Sequence, residues 1–210
     1  MKIIVYGYRD WAVEIFKNID SKDKYLVTNL DYDIIDKIKP SLVFFIGWSS
    51  IIPENIINNH TCICLHPSPL PKYRGGSPIQ NQLLNGETDS AVTLFVMDKG
   101  IDTGDILFQS PISLDGSLND IFNRIVKRGI EGINHIIGND MQRIEQDESQ
   151  SSFFNRKTPS DSEIKISDFL LHDSKYFHNK IRGLNDPYPN AYIICKNGKK
   201  LYLLATKYED

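Results

Sequence analysis

Apolar residues in the first part of the chain fall in short unbroken runs separated by amphipathic stretches. Residues 2–6 and 42–47 are apolar almost throughout, the pattern of parallel strands buried on both faces. Residues 25–28 and 61–66 are similar runs. Between the runs, Ala12, Ile15, Phe16 and Ile19 recur at helical spacing, with Asp10 as an N-cap. Ile34, Ile35 and Ile38 predict a helix over 31–39, and residues 53–59 a third. Strands alternating with helices predict an α/β fold with a Rossmann-like, mostly parallel sheet.

Further along, Ser77 and Pro78 open a helix that Gly86 closes. Strands are predicted at 91–97 and 106–110. Ser117 and Asp120 form a capping box before a long helix carrying Leu118, Ile121, Phe122, Ile125, Val126, Ile133 and Ile137, expected to end near Gln146. The chain then turns polar and serine-rich. The division expected is a main unit over 1–146, a linker over 147–161 and a small C-terminal subdomain over 162–210. That subdomain reads as a helix over 173–184 followed by a hairpin, with strands at 191–195 and 201–206 around Asn197-Gly198. Its open strand edge offers a route to a homodimer.

Composition narrows the class. A chain of 210 residues, 40% hydrophobic and 24% charged, builds one core and a small appendage. A formal net charge of −3 with a pI near 6.0 leaves no electrostatic footprint for nucleic acid. No apolar run approaches the roughly 20 residues that span a bilayer. The first residues read as a strand and not as a signal peptide. Cys62, Cys64 and Cys195 show neither disulfide nor zinc spacing, which predicts reduced thiols, no metal and a cytoplasmic location. No G-x-G-x-x-G follows the first strand, so no nicotinamide cofactor is expected.

The chemistry concentrates after Thr61. Cys64 and His66 alternate with Leu65 and so share one face of a strand. The next loop holds Pro67, Pro69 and Pro71, then Gly75 and Gly76. So much backbone restriction beside a titratable imidazole marks a candidate site, although His66 alone reads as an ordinary loop histidine. In an open α/β sheet the ligand crevice lies beyond the carboxyl ends of the strands. The turn with Tyr8 and Arg9, the Gly47-Trp48-Ser49 segment and the loop after His66 are therefore expected to converge.

The ordered set Cys64-x-His66, Ser68-x-Leu70-Pro71, Arg74-Gly75, Pro78-Ile79-Gln80, Val92-Thr93 and Ile101-Asp102-x-Gly104-Asp105 resembles the 10-formyltetrahydrofolate-dependent formyltransferases. The resemblance implies formyl transfer from 10-formyltetrahydrofolate to a primary amine. It implies His66 as electrostatic stabiliser or proton acceptor, and Asp102 as the acid that orients it. It places the pterin against Trp48, Ser49 and Ser50 and against Asp98, Lys99, Gly100, Ile101 and Asp102. One position departs: Cys64 stands where the family has Asn. An oxyanion-hole donor is worth about 3 kcal/mol in a transition state, and a thiol is a weak donor. Either Cys64 shares the role with a backbone N–H, or turnover is slow, or it is lost and a binding protein remains. The segments around Arg9 and Trp48 look most like the sugar-nucleotide branch, with a dTDP-linked 4-amino-4,6-dideoxyglucose destined for O-antigen as acceptor. Arg9, Lys72, Tyr73 and Arg74 are the substrate-binding candidates. Glycinamide ribonucleotide and methionyl-tRNA are the alternative acceptors. Little chain follows Pro187, too little for the C-terminal barrel expected of tRNA-directed members.

Overall fold

The computed structural model describes residues 1–209. Its elements in chain order are β1 (Ile3–Tyr6), α1 (Asp10–Asn18), β2 (Lys24–Val27), α2 (Asp33–Ile38), β3 (Leu42–Ile46), α3 (Glu54–Asn59) and β4 (Cys62–His66). Then come β5 (Arg74–Gly75), α4 (Pro78–Leu84), β6 (Asp89–Val96), β7 (Ile106–Ser113), α5 (Leu118–Gly138) and β8 (Phe153–Phe154). The last are α6 (Ser174–Gly183), β9 (Tyr192–Ile194) and β10 (Lys200–Tyr202).

Six strands form the central sheet in the order β2-β1-β3-β4-β6-β7. The first four run parallel, and β6 and β7 run antiparallel to their neighbours. This is the expected α/β, mostly parallel sheet with a small C-terminal hairpin. Alternation splits the strands between two cores. Ile3, Val5, Phe44, Ile46, Ile63 and Leu65 pack with α1 and α5, while Ile4, Tyr6, Val43, Phe45 and Cys62 pack with α2 and α3. No helix among the described residues is long and apolar enough to cross a membrane.

Several local expectations shift. Asp10 is the first helical residue and not the cap; Arg9 holds the cap position in extended backbone, and the Asp10 carboxylate sits in the first turn, where the helix dipole favours it. Ser77 holds the cap position of α4 but makes no capping bond; its Oγ accepts from the Lys157 N–H at 3.0 Å. The Ser117–Asp120 box is formed in both directions. The long helix stops at Gly138, well before Gln146, and the Asn139 amide donates back to the His135 carbonyl at 2.8 Å. Ile144 then bridges to Ile106, which frees Gln146 to turn inward. In the hairpin only Gly198 has positive φ, and its N–H donates to Cys195, so the loop is a turn closed by a glycine bulge rather than a two-residue turn.

The stretch assigned above to a linker carries β8, which pairs in parallel with β5 in the loop after His66. Beyond it α6 packs on α4, and Ile164, Phe177, Ile181, Leu184 and Ala191 form a small separate core.

Candidate active site

β4 delivers His66 at its last position. Leu65 turns into the α1/α5 core, so Cys64 and His66 face the other way. The imidazole is 6% exposed. Its Nε2 lies 2.8 Å from the Tyr73 carbonyl oxygen. A carbonyl only accepts, so Nε2 carries the hydrogen and Nδ1 is left as the nitrogen that can gain or lose one. Nδ1 lies 3.5 Å from Asp102 Oδ2. The two side chains expected to share a pocket do share one.

The loop after His66 is held from outside. Its prolines supply no N–H groups, and its buried carbonyls must find donors elsewhere. Side chains provide them: Gln82 to Pro67 O at 2.9 Å, Thr93 to Ser68 O at 2.6 Å, and Gln109 to Leu70 O at 3.0 Å. On the far side, the Arg74 and Gly76 N–H groups donate to Ser152 and Phe154 carbonyls. Gly75 is required there, with φ at +94° and any Cβ only 2.3 Å from the Phe154 carbonyl oxygen.

Asp102 arrives from an unexpected direction. Because β6 is antiparallel to β4, Val96 sits level with Ile63, near the start of β4. The loop that follows leaves from the opposite end to the β1 and β3 loops and doubles back to reach His66. Asp102 itself adopts φ of +57°, and its Oδ2 accepts the Gly75 N–H at 2.8 Å. Gly104 lets the doubled-back loop lie on β6, since a Cβ there would sit 1.7 Å from the Val96 carbonyl oxygen. At the tip, Asp98 Oδ1 accepts from the Gly100 N–H and the Thr103 hydroxyl.

A cavity of about 850 Å³ opens over this pair. Cys64, His66, Trp48, Ser49, Ser50, Asp98, Lys99, Gly100, Ile101 and Asp102 all line it, so the candidate catalytic and pterin residues converge. Trp48 stands edge-on to Tyr6 and Tyr8, and its buried indole N–H has no partner among the described residues. Burial first, and the Asp102 carboxylate second, push the Cys64 thiol pKa well above its ordinary value. Cys64 therefore presents a neutral thiol, not a thiolate. No cluster of metal-ligating side chains occurs among the described residues.

The substrate-binding candidates divide. Arg9 lines the cavity, with its guanidinium 5.4 Å from both the Tyr8 and Tyr188 ring centres. Lys72, Tyr73 and Arg74 lie outside the lining. Lys72 is exposed away from it. Tyr73 acts through its carbonyl on His66, while its hydroxyl donates to Glu87 at 2.7 Å. Arg74 is 6% exposed, and its donors are taken by Gln146 and Glu148. A guanidinium so committed does not reach a diphosphate. The cations the sequence reading missed are Arg156 and Lys157, which line the cavity together with Tyr188. Nothing local in the sequence marks them as facing a site.

The fold and site define a class: an α/β protein with an imidazole–carboxylate pair at a strand tip, on the wall of an open cavity. Residues 12–137 match the family model described as "Formyl transferase", and the chain belongs to that family. It is 35% identical over 188 residues to the methionyl-tRNA formyltransferase of Syntrophomonas wolfei, a match covering 82% of this chain and 56% of the relative. The chain thus spans little more than half the length of the curated relatives it matches. Among solved structures, the methionyl-tRNA formyltransferase from Clostridium thermocellum superposes with a TM-score of 0.83 at 31% identity, covering 96% of each chain. A 4-N formyltransferase from Francisella tularensis shares the fold, with a TM-score of 0.80 at 22% identity over 100% of this chain and 98% of that one.

Proposed function

We propose that the protein transfers a formyl group from 10-formyltetrahydrofolate to the amino group of a nucleotide-linked amino sugar, with dTDP-4-amino-4,6-dideoxyglucose as the acceptor class. The observation that supports the formyl-transfer part of the reading is the 3.5 Å approach of His66 Nδ1 to Asp102 Oδ2 on the wall of the cavity. Transfer makes a bond between the amine nitrogen and the formyl carbon and breaks the bond to N10. The amine sheds a proton and N10 gains one. His66 Nδ1 holds that proton in transit, and Asp102 stabilises the imidazolium that results. A short-lived oxyanion needs a donor, and Cys64 S–H on the same strand face is the side chain nearest the family's Asn position. The folate ring system lies against Trp48, Ser49, Ser50 and residues 98–102. Arg9, Arg156 and Lys157 suit a diphosphate, since cationic side chains commonly hold phosphate oxygens. The reaction sits in the cytoplasm, in keeping with three unpaired cysteines. Two copies pair through the hairpin, whose strand β10 exposes Leu201 and Tyr202; sedimentation as a monomer ends that part of the reading.

A second reading, an aminoacyl-tRNA acceptor, is favoured by the likeness to methionyl-tRNA formyltransferases. Purified protein incubated with 10-formyltetrahydrofolate and either the amino sugar nucleotide or methionyl-tRNA separates the two. Formylated sugar is expected. Formylated tRNA alone replaces the first reading with the second, and no product with either acceptor removes both.

A further inference from the structure

Gln146 is a buried amide, 5% exposed, just after the end of α5 and its return segment. Every polar valence it has is spent between the two loops that carry the reacting pair. Its Nε2 donates to the Asp102 carbonyl at 3.0 Å and to the Gly104 carbonyl at 2.7 Å. Its Oε1 accepts from Arg74 Nε at 3.1 Å and Nη2 at 2.8 Å. Arg74 directly follows Tyr73, whose carbonyl holds His66 Nε2. One side of the amide therefore grips the acid's loop and the other grips the imidazole's loop. We propose that Gln146 is a positioning residue: a strut that fixes the separation of His66 and Asp102 without touching either side chain.

The chemistry is specific to an amide. Two carbonyl oxygens demand donors on one side, and a guanidinium demands an acceptor on the other. Glutamate keeps the shape and the Arg74 bonds but turns an acceptor on the Asp102 and Gly104 carbonyls. Glu148 completes the frame by accepting from Arg74 Nη1 at 2.9 Å, and from Nη2 at 2.6 Å. Misplacing reacting groups by about 1 Å lowers turnover on the order of 100-fold, even when the change lies away from the chemistry.

The inference rests on the formyl-transfer reading, and a turnover-independent probe keeps the two apart. Gln146→Glu is expected to lower kcat on the order of 10- to 100-fold, with KM for 10-formyltetrahydrofolate and for the amino sugar nucleotide held within about twofold. Combined with Asp102→Asn, it should add little further loss, because both changes undo the same pairing. In parallel, ¹⁵N NMR of the His66 imidazole should shift in Gln146→Glu as the Asp102 carboxylate moves off Nδ1. A purely structural residue would lower the melting temperature, add its loss to that of Asp102→Asn and leave the His66 signal in place; that combination overturns the proposal. If Gln146→Glu does not fold, Arg74→Lys, which keeps the charge but loses the fork, must show the same signal shift, and an unshifted signal overturns it. Wild-type protein without formyl transfer defeats the functional reading, while the NMR comparison still decides the strut.

Discussion

Two loops meet at the His66–Asp102 pair, and they are built oppositely. The loop over residues 67–76 is pinned along its length, by Gln82, Thr93 and Gln109 on one side and by the paired strand β8 on the other. The loop over residues 98–105 is pinned at its feet, through Asp102, Gly104 and the Gln146 amide at one and the Met97 N–H to the Cys62 carbonyl at the other. Its tip, with Lys99, Gly100 and Ile101, is exposed and bonded mainly to itself. The contrast implies a division of labour. The fixed loop and the fixed feet set the geometry of proton transfer, and the open tip receives the ligand.

The largest expected effect is on the fixed side. His66→Ala and Asp102→Asn should each lower kcat by about 10²- to 10⁴-fold with little change in melting temperature. Near-normal kcat in either variant takes that residue out of the mechanism. Cys64→Asn should maintain or raise turnover, by at most what an oxyanion donor of about 3 kcal/mol allows; a sharp fall would mean the site is built around the thiol. At the foot, Gly104→Ala forces a methyl onto the Val96 carbonyl and should destabilise the fold by about 1–3 kcal/mol in urea melts. A neutral result would mean the loop is not seated on β6 as described. At the open tip, Lys99→Ala should raise KM for the formyl donor and leave kcat and stability unchanged. A kcat effect there would erase the contrast between the loops.

The smallest effect concerns pH. Hydrogen bonding from Arg74 holds the Glu148 carboxyl below its ordinary value. A lowered folded-state pKa gives stability that is present above the unfolded value of about 4.3 and lost as pH falls through the folded one. Melting temperature should therefore drop on acidification, and the drop should be shallower in Glu148→Gln. Equal acid limbs in the two proteins would mean the pair contributes nothing, as exposed ion pairs often do not.

Periodicity made the sheet legible, because β1, β3 and β4 are buried on both faces and carry their signal locally. It overran α5 for the same reason: Ile137, Met141 and Ile144 continue the helical spacing past Gly138, where Asn139 closes the helix. His66 and Asp102 were readable only through an ordered motif, since neither is distinctive alone. Arg74 misled, because a cation beside loop glycines reads as free to meet a phosphate, and only the three-dimensional arrangement shows it buried against Gln146. Gln146, Arg156 and Lys157 escaped because their partners lie far away in sequence, and no spacing rule links them. The direction of β6 was equally hidden, since alternation marks a strand without saying which way it runs.

That reversal ties competence to assembly. The imidazole rides on a strand pointing one way and its acid follows a strand pointing the other. A two-residue slip of β6 along β4 would carry the acid about 7 Å away, and a one-residue slip would also exchange the side chains of its two buried faces. Turnover thus works as a gauge of alignment: molecules that zip this seam one rung out would still look folded by bulk spectroscopy, yet would be silent in an assay.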